Sequence, residues 1–229
     1  AVVTVNDQPA GRRRDYFRRE LAANNAGGPV YMAVTNIAVL RGAGTNADIG
    51  STNVGSFLLA KASETLTHDA DGNLTSNSLW TNTWNGLDQL IATESRSDVP
   101  PDARRKLAFA YDSGGRRIRK IVSTWNGSTY VAQSTNRYVW DGELLLAELD
   151  EGNNLIRSYV WGLDLSGSRQ GASGVGGLLS MTVHSGPLAG TYFYCYDSNG
   201  NIVALINAAT GAVVAVYEYD PFGNFIRAT

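Results

Sequence analysis

Two histidines, one cysteine and 21 carboxylates are the groups in this 229-residue chain with the pKa range or nucleophilicity for chemistry near neutral pH. His68 and His184 sit in unrelated turn contexts with no third partner nearby, so neither a zinc site nor a Cys-His pair with Cys195 is expected. Asp69-Ala70-Asp71-Gly72-Asn73 opens like a calcium loop. However, its glycine falls at the fourth place rather than the sixth, and the twelfth place, where a bidentate Glu belongs, is Trp80, so a turn is expected. The glycine-rich run 171–177 lacks the Lys-Ser/Thr of a phosphate loop, and 166–177 as a whole, with five glycines, reads as a flexible loop. Five arginines crowd into Arg12-Arg13-Arg14-Asp15-Tyr16-Phe17-Arg18-Arg19-Glu20, and with Asp15 and Glu20 among them the run reads as a solvated, ion-paired strand face. No metal or cofactor is expected.

The elements that carry these groups are announced by a repeated phrase. Tyr194-Cys195-Tyr196-Asp197-Ser198-Asn199-Gly200-Asn201-Ile202 returns 23 residues later as Tyr217-Glu218-Tyr219-Asp220-Pro221-Phe222-Gly223-Asn224-Phe225. Each copy spells a strand with alternating aromatics, an Asp that accepts from a backbone N–H two residues on, a Gly that supplies positive φ, and a return strand. Asn207 to Gly211 has the same turn chemistry, so 202–206 and 212–219 are expected to pair antiparallel. Weaker copies lie at 68–74, at Trp84-Asn85-Gly86, at Tyr111-Asp112, and at 150–155. Tyr138-Val139-Trp140-Asp141-Gly142 and Tyr159-Val160-Trp161-Gly162 make a further pair 21 residues apart. Repetition at 20 to 30 residues marks a strand-based repeat.

Elsewhere, 1–5, 30–40 and 178–183 read as strands, 42–55 as a long surface loop, and 57–59 as a short strand. Asn126-Gly127 reads as a hairpin turn between Trp125 and Tyr130. No segment sustains a helical apolar period, and 43% apolar residues allow a real core. The fold expected is all-β: a repetitive antiparallel β-hairpin strip, with 1–62 an irregular β segment and 63–229 the repeat sheet. A formal net charge of −2 argues against a nucleic-acid partner, no apolar run reaches the length of a membrane span, and Cys195 is expected to pack inside a strand.

The phrase Tyr-Asp-x-x-Gly-Asn-apolar, at Tyr196 to Ile202 and Tyr219 to Phe225, resembles the YD repeats of bacterial rearrangement-hotspot (Rhs) proteins, of Tc-toxin C subunits and of teneurins. The resemblance implies a β-sheet strip spiralling into a hollow shell, closed in that family by an aspartyl autoprotease core that frees a C-terminal toxin. Neither the core nor the toxin is expected in this chain. Asp220-Pro221-Phe222-Gly223, like the Asp-Pro-x-Gly near that family's cleavage site, aligns with Asp197 to Gly200 and reads as a repeat turn.

The functional expectation is therefore a non-catalytic structural module, not an enzyme, forming the wall of a shell that encapsulates or displays a cargo polypeptide. Its marker residues are Tyr111, Asp112, Trp140, Asp141, Trp161, Gly162, Tyr196, Asp197, Gly200, Asn201, Tyr219, Asp220, Gly223 and Asn224. Rows of Tyr and Trp are expected to stack from strand to strand. Two rivals stand beside it: a self-assembling extracellular fibre or tube joined through sheet edges, and a carbohydrate-binding cell-surface module. The partners expected are neighbouring repeats of the same or identical chains, an encapsulated toxin, or glycans. The resemblance implies an extracellular or cell-surface location.

Overall fold

The computed structural model describes residues 1–42 and 46–228. The protein is all-β and antiparallel, and among the described residues the single helical turn is a 3-10 turn at Pro101–Ala103. Strands β1 (Val2–Val5), β2 (Gln8–Pro9), β5 (Val30–Leu40) and β6 (Ile49–Leu59) form one sheet in the order β2-β1-β5-β6. Strands β3 (Gly11–Arg13) and β4 (Tyr16–Arg18) form a separate two-stranded ribbon. The rest of the chain supplies β7 (Thr67–His68), β8 (Leu74–Ser76), β9 (Trp80–Trp84), β10 (Leu90–Ser95), β11 (Arg105–Tyr111), β12 (Arg117–Trp125) and β13 (Tyr130–Asp141). There follow β14 (Leu144–Leu149), β15 (Leu155–Trp161), β16 (Leu178–Val183), β17 (Gly190–Tyr196), β18 (Ile202–Asn207), β19 (Val213–Tyr219) and β20 (Phe225–Ala228). These fourteen strands lie in one sheet in the order they have in the chain. Short turns join most successive strands, which favours pairing of each with the strands before and after it.

The chain divides into two compact units, Ala1–Leu107 with Ser123–Val131, and Ala108–Val122 with Ala132–Thr229. In the first, β5 and β6 pair without a break from Val30↔Leu59 to Leu40↔Ile49. The loop expected at 42–55 is therefore wrong from Ile49 onward, while 43–45 lie outside the described residues. Gly, Ser, Thr and Asn imitate loop composition there, but as small residues on an edge strand they pair one for one with the β-branched β5. Asn6 and Asp7, both at positive φ, make the two-residue turn between β1 and β2. In the second unit, β17, β18 and β19 form the expected meander, with Tyr194↔Leu205 and Leu205↔Ala215 in register.

The expected core is also corrected. Among the described residues, Val99, Ala103 and Leu144 are the buried hydrophobics, and large apolar side chains such as Ile49, Val54, Phe57 and Phe193 are exposed. Strand residues are mainly half-buried, because period-two alternation spreads apolar side chains over both sheet faces rather than gathering them between two layers. Among the described residues no helix is long and apolar enough to cross a membrane.

One five-residue turn recurs seven times among the described residues. At Asp69, Asn85, Asp112, Asp150, Asp164, Asp197 and Asp220 the backbone N–H donates to the carbonyl four residues on, and the N–H of the residue three on donates back. That third residue is left-handed in every copy: Gly72, Asp88, Gly115, Asn153, Gly167, Gly200 and Gly223. Gly223→Asn is expected to leave the melting temperature almost unchanged, since Asp88 and Asn153 hold the same place at φ 56° and 65°. A Cβ at position 223 would meet no atom within 4 Å, so the expected cost of Gly223→Val, about 1–2 kcal/mol, is mainly the backbone strain of a β-branched residue at positive φ. Thermal unfolding of the two variants checks both.

Candidate functional site

Within each turn the side chain of the first residue acts as a template. Asp197 Oδ1 accepts the N–H groups of Asn199 and Asn201 at 2.9 Å, and Oδ2 accepts Asn201 Nδ2 at 2.9 Å. Asp220 repeats the scheme with Phe222 and Asn224, and Asp69 with Asp71 and Asn73. At Asp112 the guanidinium of Arg116 takes the place of the Asn amide, at 2.8 Å. The Asn amides, then the backbone N–H groups, hold the Asp197 and Asp220 carboxyls below the usual carboxylate range. Asp69 and Asp71 are thus a turn, and among the described residues no group of three or more His, Cys, Asp or Glu could hold a metal ion.

The marker residues fall at strand ends. Tyr111, Tyr196 and Tyr219 close β11, β17 and β19, each directly before a template Asp. Trp140-Asp141 and Trp161-Gly162 differ: the first enters a tight turn at Gly142 and Glu143, the second a long loop. The aromatic rows also differ from the expected ring-on-ring stacks. Tyr196 and Tyr219 donate their hydroxyls to the carbonyls of Leu178 and Ile202, at 2.6 and 2.9 Å. Trp84, Trp140 and Trp161 donate their indole N–H to Leu74, Arg117 and Leu145. In each case the acceptor lies on the preceding strand, so a bulky ring covers one strand and its polar tip satisfies the carbonyl at the start of another. Ring contacts do occur at Phe225, whose centroid lies 6.1 Å from that of Tyr219.

The loop 162–177 is the feature that sequence reasoning missed. It is not flexible by design: Asp164, 6% exposed, holds it from inside. Its Oδ1 accepts the N–H and hydroxyl of Ser166 at 2.9 and 2.5 Å, and its Oδ2 accepts the N–H groups of Ala172 and Gly174 at 2.6 and 3.2 Å. The Ser166 hydroxyl first, and then the backbone donors, lower its pKa to about 2. Asp164-Leu165-Ser166-Gly167-Ser168 is itself an Asp-x-x-Gly phrase, so the signal was present in the sequence but masked by the glycines that follow.

A second cluster lies on one face of β13–β15. Glu148, whose side chain is 12% exposed, accepts Tyr159 Oη at 2.5 Å, Arg157 at 3.1 Å and Asn136 at 3.4 Å. Burial, and after it the bond to Glu148, raises the Tyr159 pKa well above its ordinary value. Beside it, Arg157, Met181, Tyr192, Leu205 and Tyr217 line a hollow of about 350 Å³. Ser158, between Arg157 and Tyr159, points to the opposite face and meets His184 Nε2 at 2.9 Å. The carboxylate and the imidazole are therefore on different sides of the sheet.

No family model matches the chain. Over 176 residues it is 34% identical to the tRNA3(Ser)-specific nuclease WapA of Bacillus spizizenii and 34% identical to the tRNA nuclease WapA of Bacillus subtilis strain 168. It is 35% identical to the tRNA(Glu)-specific nuclease WapA of Bacillus subtilis subsp. natto. The chain is similar to WapA nucleases. Each match covers 76% of this chain and 6% of the relative's length. Among solved structures, TcdB2-TccC3-TEV aligns over 84% of this chain and 10% of that chain, with a TM-score of 0.44 and 13% identity.

These relatives overturn the expectation of a non-catalytic structural wall, and with it the fibre and carbohydrate-binding rivals and the expectation that no enzyme is involved. The physical reason is that the repeats specify a scaffold. Hairpin turns and aromatic strand ends satisfy backbone groups, and they carry no information about chemistry associated with that scaffold.

Proposed function

We propose that this chain is a YD-repeat segment of a tRNA-cleaving nuclease toxin of the WapA kind, in a polypeptide exported from or displayed on a bacterial cell. The observation that carries the reading is the 34–35% identity to three WapA nucleases over 176 residues, at 6% of their length. The seven turns, templated by six Asp and by Asn85 among the described residues, support the repeat assignment, since Asp164 adds a copy to those legible in sequence. Cleavage of RNA by its own 2′-hydroxyl needs a base on one side of the phosphate and an acid on the other. Glu148 and His184 are on opposite faces of the sheet, so the reading gives them no joint role and assigns the activity to the polypeptide as a whole.

The test is to purify the complete gene product and, separately, this 229-residue chain, and to incubate each with total bacterial tRNA. Discrete tRNA fragments on a denaturing gel are expected from the complete product. Intact tRNA after prolonged incubation with the folded complete product would overturn the reading. Fragments from the 229-residue chain alone would locate the activity within it.

A further inference from the structure

We propose that the β3–β4 ribbon binds the phosphate backbone of RNA. Its arginines are distributed unlike the charge elsewhere in the chain. Residues 12–20 hold five arginines and two carboxylates, a net charge of +3, and the remainder holds 14 basic against 19 acidic residues, a net charge of −5. The near-neutral total that argues against a nucleic-acid partner thus conceals a local basic projection.

The structure does not neutralise that projection. Arg18 pairs with Glu20 at 2.6 Å, but both side chains are 82% exposed. Among the described residues Arg12, Arg13, Arg14 and Arg19 have no carboxylate within ion-pair distance. The ribbon pairs only within itself, Gly11↔Arg18, Arg12↔Phe17 and Arg13↔Tyr16, and Arg14 takes a left-handed φ of 55° in the turn. The Arg12 guanidinium lies 5.6 Å from the Phe17 ring centroid and its Nε donates to the Arg14 carbonyl at 2.7 Å, which holds its planar fork in place. Pro9, Gly11, Arg18, Arg19 and Glu20 border an open hollow of about 540 Å³ beside the ribbon.

All five cations are arginine and none is lysine. Guanidinium groups bind phosphate bidentately and stack on unpaired bases, the contacts by which RNA is held. A lipid surface would want a broad apolar face to insert, and here Phe17 is half-buried with the Arg12 guanidinium 5.6 Å from its ring, which leaves Tyr16 as the ribbon's one large exposed hydrophobic. The preference for RNA over other polyanions also rests on the proposed nuclease reading, while the site itself rests on the ribbon's charge and geometry.

The test is fluorescence anisotropy of the whole chain with labelled tRNA across a salt series, beside flotation with phosphatidylserine-containing vesicles. The combined variant Arg12→Gln, Arg13→Gln, Arg14→Gln is expected to bind tRNA at least about tenfold more weakly at low salt. It is also expected to lower the slope of log affinity against log salt by about 2 to 3. Arg169→Gln, at an exposed ion pair with Asp141, is expected to change neither, and circular dichroism confirms that the variants fold. Unaltered tRNA binding by the triple variant, no binding by the parent chain, or capture by vesicles with none by tRNA would each overturn the proposal. Binding is read without cleavage. tRNA that is bound by this chain yet left intact by the complete gene product defeats the nuclease reading alone, and tRNA that is cut while the triple variant binds normally defeats this one alone.

Discussion

Leu144→Ala is expected to lower the stability of the second unit by about 2–5 kcal/mol, the largest effect of any single truncation in it. Leu144 is 0% exposed and opens β14 directly after the tight turn at Gly142. Above it lies the backbone of Gly174, so close that a Cβ there would stand 2.6 Å from Leu144 Cδ2 and 3.0 Å from the Trp161 ring. Elsewhere in the sheet a truncated side chain is half-exposed, and water fills the space. Under the 162–177 loop it leaves a cavity roofed by main chain that is already fixed from the other side by Asp164. Urea unfolding followed by tryptophan emission measures the loss. A change below about 1 kcal/mol would show that the loop settles onto the alanine, and that the order described for it is not rigid.

Asp164→Ala is expected to release that loop while leaving the sheet paired. Four donors lose their acceptor, among them the N–H of half-buried Ala172 and that of buried Gly174. Limited proteolysis should then cut between residues 166 and 177, where the parent resists, and amide exchange should rise there first. The pH dependence follows from the same contacts. With the folded pKa lowered to about 2 from 3.8, the contribution of Asp164 is complete above pH 3.8, and it is lost as pH falls through the folded value. Asp112, Asp150, Asp197 and Asp220 are shifted in the same direction by their Asn or Arg partners, so acid should loosen the turns together. Equal loop protection in the parent and in Asp164→Ala at neutral pH would remove the carboxylate from its assigned place.

What could be read in advance was whatever the turn chemistry dictates. Asp197 to Asn201 and Asp220 to Asn224 announce themselves, because an acceptor, a left-handed position and a returning amide must fall at fixed offsets. Asn85 and Asp150 follow the same scheme with Asp88 and Asn153 in the glycine place, where the letters change and the hydrogen bonds do not. The loop 162–177 was illegible for the opposite reason. Its glycines serve left-handed geometry and close approach, yet composition alone makes them look like slack. The strand over 49–55 was lost because small residues on an edge strand carry no alternation to detect, while 57–59 was legible. The Glu148 cluster depends on register between three strands, and no spacing within one strand reveals it.

The order of the fourteen strands bears on how the chain reaches this state. Since every strand of that sheet borders its successors in sequence, almost all its pairings are closed by short loops, with small loop-closure entropy. Folding rates fall as the mean sequence separation of contacts grows, and β-proteins are usually slow on that account. Here each hairpin can form on the edge left by the last, so assembly can keep pace with the polypeptide as it emerges, one Asp turn at a time.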